Sequence, residues 1–253
     1  MKGPELSALP ARLKELRLPS FAAHCERLAE QARQQAWDPL RYLAELAEVE
    51  AAERADRRVA RLTKEARLPR GKTLETLELA RLPGPVRGHL PRLCEGHFLA
   101  EAANLCIFGN PGTGKTHLMA ALGAALVQRG HATLFAPARA LTERLAAAKR
   151  ELRLSRELER LDRFACLLLD DIGYVRQDRT EMEVLFELLA QRYERRSVML
   201  TSNLVFSQWH QIFPDKMTAA AAVDRVVHHS LVLELDITSY RAEQAKRRQG
   251  QHR

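Results

Sequence analysis

The sequence contains no long apolar run. Nowhere does it approach the ~18 consecutive apolar residues of a membrane-spanning helix, so such a helix is excluded. The first residues, MKGPELSALPARLKEL, are interrupted by proline and by charges and lack the apolar core of a secretory signal. We therefore expect a cytoplasmic protein that is not attached to a membrane.

Cysteine is also scarce. Cys25, Cys94, Cys106 and Cys166 are widely scattered, which excludes both a disulfide framework and the usual spacing of zinc ligands. Cys106 and Cys166 lie inside apolar runs, where a cysteine is expected to be a small buried core residue. This pattern fits a reducing compartment.

Negative charge is in the minority. The 40 Lys and Arg residues outnumber the 32 Asp and Glu residues, and the net charge is +8. Such an excess favours a polyanionic partner, nucleic acid first, although many basic proteins have no such partner. A length of 253 residues allows one large domain, or one domain with a smaller companion.

Two parts of the chain differ in composition. Residues 1–68 are rich in helix formers and predict a helical N-terminal domain, with Ser20 and Asp38 as candidate N-caps. Residues 69–103 carry many prolines and glycines and are interpreted as a linker or arm. Residues 104–245 predict a second domain, and residues 246–253 form a basic tail.

The second domain alternates short apolar strands with longer helical segments. Strands are predicted at NLCIF, ATLFA, FACLLLD, SVMLTS and LVLELD. Helices are predicted at KTHLMAALGAALVQR, ARALTERLAAAKREL, RTEMEVLFELLAQRYER and MTAAAAVDRVV. This alternation predicts an α/β fold with a parallel five-stranded sheet covered on both faces.

The first strand leads into a phosphate-binding loop. Residues 109–116 fit the pattern G-x-x-x-x-G-K-[ST], in which glycines let backbone N–H groups point at phosphates. Lys115 would reach the β- and γ-phosphates, and Thr116 would offer its hydroxyl to Mg²⁺. The alternative is a glycine-rich turn, which would not need the Lys-Thr pair. The predicted ATP-binding residues are Gly109, Asn110, Pro111, Gly112, Thr113, Gly114, Lys115, Thr116 and His117.

Two carboxylates follow the third predicted strand. Asp170 is the expected Mg²⁺-shell residue, and Asp171 the expected residue that orients or deprotonates the attacking water. The alternative role for them is a helix or loop cap. The sequence lacks the Asn-Lys-x-Asp element that reads guanine, which favours ATP over GTP.

Three further side chains are candidates for sensing the γ-phosphate. Asn203 leaves the fourth predicted strand and could bridge the γ-phosphate and the water, or could simply be a turn residue. Arg225 and Arg241 could each stabilise the transferred charge, in the same subunit or a neighbour, or could be surface residues. The adjacent His228 and His229 would point to different faces of a regular element, and we interpret them as structural or surface residues, not metal ligands.

Taken in order, NLCIFGNPGTGKTHLMAAL, LLLDDIGY, TSNLVFSQW, VDRVVHHS and SYRAEQAKRR resemble the IstB family, ATP-binding helpers of insertion-sequence transposases. That family is similar to the DnaC-type helicase loaders of the AAA+ class. The resemblance implies an AAA+ fold and a homo-oligomer assembled with ATP. It also implies binding of duplex DNA and delivery of a cognate transposase.

The resemblance also gives roles to the last three side chains. Asn203 looks like the family's sensor 1, Arg225 like an arginine finger on the neighbour's ATP, and Arg241 like sensor 2. Asp171 stands where AAA+ proteins more often carry the longer Glu, so hydrolysis is expected to be slow and stimulated by DNA or partner.

A helical projection of ERADRRVARLTKEARL predicts a guanidinium stripe. Arg54, Arg57, Arg58 and Arg61 fall on one face, opposite apolar residues, which suits contacts to duplex phosphates. The alternative is an ordinary solvated face with acidic residues. Aromatic residues are too sparse in this stretch for a platform that stacks the bases of a single strand.

Four functions are compatible with these patterns. The leading one is an ATP-clamped DNA-binding assembly that helps a transposase use its target. A replicative helicase loader shares the ATPase half and differs in partner. A small-molecule kinase would need an acceptor pocket. The fourth alternative is a DNA-binding scaffold that does not hydrolyse ATP, and the short side chain of Asp171 is compatible with it.

Overall fold

A computed structural model describes residues 6–174, 178–213 and 216–240. Arg241 and the predicted basic tail lie outside these ranges. The chain divides into two compact units, Met1–Arg61 and Leu62–Arg253. None of the helices in the described ranges combines the length and the apolar character needed to cross a membrane.

The smaller unit is helical, as the sequence predicts. It contains α1 (Leu9–Glu15), α2 (Pro19–Gln34) and most of α3 (Pro39–Ala66). A short 3₁₀ turn, Leu6–Ala8, precedes α1. Cys25, Leu28 and Leu46 form its buried cluster, and partly buried aromatic side chains surround them. The unit therefore has an apolar centre of its own.

The two predicted N-caps have different outcomes. Asp38 caps α3, because its Oδ1 accepts the Leu40 N–H at 2.8 Å. Ser20 is not a cap, because α2 already begins at Pro19, whose fixed φ suits the first helical turn. Instead the Ser20 N–H donates to Glu50 Oε2 at 2.9 Å and its hydroxyl to Glu53 Oε2 at 2.8 Å. Ser20 thus joins α2 to α3.

The larger unit is built on a parallel five-stranded sheet in the order β2-β3-β4-β1-β5. This confirms the predicted fold class and all five strands. The strands are β1 (Asn104–Gly109), β2 (Thr133–Pro137), β3 (Cys166–Asp170), β4 (Ser197–Ser202) and β5 (Ser230–Leu235). The helices are α4 (Gly84–Glu95), α5 (Lys115–Gln128), α6 (Ala138–Arg150), α7 (Leu154–Asp162), α8 (Arg179–Arg192) and α9 (Lys216–Val227).

Both faces of the sheet are covered. Leu105 and Ile107 of β1 pack with α4 and α5, whereas Cys106 and Phe108 face the helices α6 to α9. The alternation follows from the two-residue period of a strand. Burial raises the pKa of the Cys106 and Cys166 thiols to about 12, as expected for unreactive core residues.

The segment interpreted as a linker, residues 69–103, differs from that expectation. It contains α4, whose Val86, Leu90 and Leu93 belong to the buried core of the larger unit. Its prolines had indicated irregular structure, but one proline lies in the first turn, where no N–H is needed, and the helix tolerates Pro91. Residues 69–103 also contain the 3₁₀ turns Leu79–Arg81 and His97–Leu99. Outside this segment, one further helix, α7, was not predicted.

Candidate nucleotide-binding site

The phosphate loop joins the end of β1 to the start of α5. Gly112 and Gly114 have φ of 83° and 93°, values that side chains other than glycine rarely adopt. The Thr113 hydroxyl donates to the Asn110 carbonyl at 2.9 Å and tightens the turn. The N-terminus of α5, with its unpaired N–H groups and positive dipole end, therefore opens onto the loop. This arrangement suits an anion.

Lys115 is held against the loop. Its side chain is only 8% exposed, and its Nζ donates to the carbonyls of Gly109 at 2.7 Å and Asn110 at 3.0 Å. A long flexible side chain is thereby fixed beside the turn that would receive phosphates. This geometry agrees with the prediction that Lys115 belongs to the phosphate loop.

A hydrogen-bond network connects the loop to the acidic strand. The Thr116 hydroxyl donates to Asp170 Oδ1 at 2.9 Å, and the Thr201 hydroxyl donates to the same oxygen at 2.7 Å. The Asp171 N–H in turn donates to Thr201 Oγ1 at 2.8 Å. Hydroxyl and carboxylate oxygens are the ligands that Mg²⁺ prefers. The residues predicted to hold Mg²⁺, Thr116 and Asp170, are thus brought together.

Thr201 was missed by the sequence analysis. It is fully buried in β4, which lies between β1 and β3 in the sheet. A hydroxyl residue near the end of the strand SVMLTS was the available signal, but its partners come from the segment at the end of another strand. Only the strand order reveals that it faces the acid pair.

Asp171 has an unusual backbone. Its φ is 66°, in the left-handed region that aspartate tolerates better than most residues, and its side chain is exposed. The hydrogen bond from its N–H to Thr201 fixes this conformation. A strained residue at this place is consistent with the predicted catalytic role, because such strain concentrates at functional sites.

Asn203 follows β4 directly and packs closely on the segment after β3. A β-carbon added to Gly173 would meet Asn203 Oδ1 at 2.1 Å. That oxygen is buried, and within the described ranges it has no hydrogen-bond partner. Because β4 lies between β3 and β1, Asn203 emerges between the acid pair and the phosphate loop. This position agrees with a polar group near the γ-phosphate.

A cavity of about 270 Å³ adjoins the phosphate loop. Leu77, Leu82 and Ile237 contribute apolar surface, and the Tyr240 N–H donates to the Gly112 carbonyl at 3.0 Å. The Arg81 guanidinium stacks over the Tyr240 ring at 5.2 Å. An apolar pocket beside a phosphate loop suits the base of a nucleotide.

One wall of this cavity comes from the segment interpreted as a linker. His117 Nε2 lies 3.0 Å from Thr76 Oγ1 and 3.1 Å from the Thr73 carbonyl oxygen, so the phosphate helix contacts that segment directly. The sequence does not predict this wall, because proline and glycine give no periodic signal. The wall residues from this segment are Lys72, Thr76, Leu77, Glu78, Arg81 and Leu82.

The two candidate arginines have different positions. Arg225 lies on α9, with its guanidinium 4.5 Å from the centroid of the Phe186 ring of α8. Among the described residues, those that line the cavity do not include Arg225. Arg241 lies outside the described residues, although its neighbour Tyr240 lines the cavity.

The predicted guanidinium stripe lies in a groove of the smaller unit. Arg54 pairs with Glu50 at 2.9 Å, and Arg57 pairs with Glu50 at 3.2 Å and Glu53 at 3.1 Å. These pairs lie within α3. Arg54 also donates to the Arg17 carbonyl at 2.8 Å and Arg57 to the Ser20 hydroxyl at 3.4 Å, so part of the stripe also holds α3 to the preceding helices. Two further basic residues, Lys14 and Arg17, were missed. The basic groove is lined by Lys14, Arg17, Arg54, Arg57, Arg58 and Arg61, together with Glu50.

A second basic surface surrounds α7 in the larger unit. Four arginines line it, with two glutamates among them. The sequence analysis did not single it out because α7 itself was not predicted. The α7 surface is lined by Arg153, Arg156, Arg160, Arg163, Glu157 and Glu159.

Comparison with known proteins adds an independent finding. Residues 11–248 match the family described as IstB-like ATP binding protein. An insertion sequence ATP-binding protein of Sinorhizobium fredii is 44% identical over 242 residues, which cover 94% of this chain and 81% of that protein. The IS21 ATP-binding protein of Pseudomonas aeruginosa is 39% identical over 246 residues, covering 97% and 91%.

Solved structures share the fold. The DnaC helicase loader has a TM-score of 0.50 and 21% identity, and the match covers 61% of this chain and 89% of that one. AMPPCP-bound DnaA from Aquifex aeolicus has a TM-score of 0.56 and 19% identity, covering 72% and 56%. At these identities the likeness establishes the AAA+ architecture of the larger unit.

Proposed function

The chain belongs to the family of IstB-like ATP-binding proteins, and from this membership we propose that it is a Mg²⁺-dependent ATPase that assembles on duplex DNA and helps a transposase use a target site. The observation that carries the ATPase half is the network joining Thr116, Asp170 and Thr201. It places a hydroxyl and a carboxylate beside the phosphate loop, as a Mg²⁺-nucleotide site requires.

Thr116 and Asp170 would hold the ion, directly or through its waters. Bound Mg²⁺ would neutralise negative charge on the β- and γ-phosphates. Lys115 would bind the same phosphates from the loop. Asp171 would orient the attacking water, and Asn203 would contact both that water and the γ-phosphate. Because aspartate is one methylene shorter than glutamate, turnover is expected to be slow until DNA or a partner improves the alignment.

ATP would act between neighbouring subunits. Arg225 is placed away from the cavity of its own chain, which supports a role at the ATP of the next chain. A guanidinium reaching a neighbour's γ-phosphate makes the oligomer depend on ATP. Hydrolysis removes that contact and loosens the assembly, an order–disorder switch of a common kind.

Duplex DNA would lie on the basic groove of the smaller unit. Its arginines and lysine suit phosphates, which position a protein without reading sequence. The relatives' names connect them with insertion sequences, which supports a cognate transposase as the partner. The helicase-loader alternative has only the shared fold in its favour.

Assembly of an Arg225→Ala variant tests the proposal. Light scattering after gel filtration would compare the variant and the wild-type chain, each with duplex DNA and either ATP or ADP. The wild type should form oligomers with ATP, and the variant should bind ATP but stay monomeric. Arg87→Ala, which changes an exposed arginine of α4, should assemble normally. If Arg225→Ala formed oligomers with ATP as well as the wild type does, the proposed role of Arg225 in ATP-dependent assembly would be refuted.

Further assays would separate the alternatives. Radiolabelled γ-phosphate released to water identifies an ATPase, whereas transfer to an acceptor identifies a kinase. Absence of turnover with and without DNA would favour a scaffold. Affinity capture with purified transposase against purified replicative helicase distinguishes the helper from the loader.

A further inference from the structure

Two histidines and a glutamate meet at the edge of the sheet opposite the phosphate loop. His228 and His229 lie in the turn between α9 and β5, and Glu194 follows α8 just before β4. One candidate ligand atom from each residue lies within 4.8 Å of the others. The distance between His229 Nε2 and Glu194 Oε1 is 3.8 Å.

The turn explains why adjacent histidines converge. Side chains next to each other in a regular strand would point to opposite faces, as the sequence analysis expected. Here the two rings are in contact, with centroids 4.2 Å apart and planes at 76°. The His229 carbonyl accepts the N–H of buried Asn104 at 2.6 Å, which holds the turn at the start of β1.

The glutamate is also placed by its backbone. The chain leaves the helical conformation at Tyr193, with φ −52° and ψ 127°, and Glu194 follows in the left-handed region with φ of 55°. Asn104 contributes on this side too, because its Oδ1 accepts the Val198 N–H of β4 at 2.9 Å. Thus one buried residue holds both parts: its side chain bonds β4, which follows Glu194, and its backbone N–H bonds the turn that carries the histidines.

Tyr193 provides an outer partner. Its hydroxyl oxygen lies 3.2 Å from His228 Nδ1, so that nitrogen can donate to the phenol and leave Nε2 with its lone pair outward. Histidines that bind metals usually have such a partner on the other ring nitrogen, which fixes ring orientation and tautomer. The arrangement is that of a ligand set with one outer hydrogen bond.

We propose that Glu194, His228 and His229 bind a divalent transition-metal ion, with Zn²⁺ as the expected occupant. Two imidazoles and one carboxylate suit Zn²⁺, whereas Mg²⁺ favours oxygen ligands alone. Bonds of ~2.0–2.1 Å in tetrahedral geometry require ligand atoms about 3.3 Å apart. The candidate ligand atoms lie within 4.8 Å of one another and all three side chains are exposed, so binding of the ion requires them to move together by rotamer changes. A water molecule would complete the coordination.

The proposed metal site would connect α8 and α9, the two helices between which Arg225 packs on Phe186. The ion would connect the end of α8 to the turn after α9, and the stack of Arg225 on Phe186 lies between those same two helices. Metal binding would therefore stabilise the packing of α9 against α8. A ligand that binds the folded state alone raises thermal stability, so Zn²⁺ should raise the midpoint of thermal unfolding.

Calorimetric titration of the tag-free, metal-stripped chain with Zn²⁺, without nucleotide or DNA, tests this site. One equivalent should bind, and millimolar Mg²⁺ should not displace it. His228→Ala, His229→Ala and Glu194→Gln should each lower the affinity at least tenfold. Co²⁺ used as a probe should give visible tetrahedral bands in the wild type that these variants lose.

His97→Ala is the matched control. His97 is exposed and its Nε2 lies 3.0 Å from Glu95 Oε2, and among the residues that the structure describes this pair belongs to no group of three candidate ligands. Its loss should leave Zn²⁺ affinity and Co²⁺ bands unchanged. Equal Zn²⁺ affinity in the three site variants and the wild type, or no uptake by the wild type, would overturn the proposal. The test is independent of ATP hydrolysis and of assembly.

Discussion

The Thr201 hydroxyl is the side-chain group that both acidic residues share. It donates to Asp170 and accepts from the Asp171 N–H inside a fully buried environment. Thr201→Val removes the hydroxyl while keeping nearly the same shape. Because outer partners of metal ligands typically contribute 10–100-fold, we expect kcat for ATP hydrolysis to fall by about that factor and the half-saturating Mg²⁺ concentration to rise.

Thr201→Ser separates this role from packing. Serine retains the hydroxyl and loses only a methyl group, so it should recover most of the Mg²⁺ response. Steady-state ATPase assays across a Mg²⁺ series provide the measurement. If the valine variant matched wild type in both kcat and Mg²⁺ dependence, Thr201 would have no positioning role.

The absence of a side chain at Gly173 leaves room for the Asn203 amide. A β-carbon at residue 173 would meet Asn203 Oδ1 at 2.1 Å and Leu204 Cγ at 3.2 Å, so Gly173→Ala must displace the amide. We expect slower ATP hydrolysis with unchanged affinity for a fluorescent ADP analogue, since the phosphate loop is not altered. Gly88→Ala in α4 is the control, because its added β-carbon has nothing within 4 Å. Equal ATPase rates in both variants would contradict a role for Asn203.

Among the secondary-structure elements, Arg192 joins α8 to the starts of two strands. Its side chain is 1% exposed and donates to the carbonyls of Leu161 at 3.0 Å and of Phe164 and Ser197 at 2.9 Å. Burial lowers its pKa to about 10. The charge therefore remains at neutral pH, and three carbonyls accept hydrogen bonds from it.

Arg192→Met should destabilise the protein by about 2 kcal/mol or more, because the Phe164 and Ser197 carbonyls would lose this buried donor and each such loss costs ~1–3 kcal/mol, whereas the Leu161 carbonyl still accepts the Phe164 N–H at 3.1 Å. Urea unfolding followed by circular dichroism measures the change. Arg195→Met is the matched control, since Arg195 is an exposed arginine paired with Asp162 at 3.4 Å, and exposed pairs contribute ~0–1 kcal/mol. Similar losses in both variants would show that the three carbonyls do not need Arg192.

The elements that sequence reasoning found are those with local signals. β3 is a continuous apolar run and α5 follows a glycine-rich loop, so local pattern alone indicates both. α4 was missed because its prolines mask a buried face that only tertiary packing reveals. Thr201 and Thr76 were missed for a related reason, since their partners lie far away in the sequence. The structure at α4, Thr201 and Thr76 depends on contacts with residues distant in the sequence, which a local sequence pattern does not reveal.

At the scale of the whole molecule, each of the two units carries a basic surface of its own. One is the basic groove of the smaller unit, and the other is the α7 surface of the larger unit. Arg54 and Arg57 are poor probes of DNA binding, because their removal would also leave the buried Glu50 carboxylate without its two arginine partners. Arg58 and Arg61 line the same groove and are the pair chosen for substitution.

Arg58→Gln/Arg61→Gln should weaken duplex binding and make it less sensitive to salt. Each lost phosphate contact removes about one unit from the slope of log K against log salt, so we expect a decrease of about two. The affinity loss should be similar for duplexes of unrelated sequence, since phosphate contacts do not read bases. Fluorescence anisotropy with labelled duplex over a salt series measures both quantities. Arg156→Gln/Arg160→Gln makes the same charge change on the α7 surface. If the slope decreased only in this second variant, the DNA contact would have to be assigned to the larger unit instead of the smaller one. The slope measures the number of ions released, and ions are released where guanidinium groups neutralise phosphates.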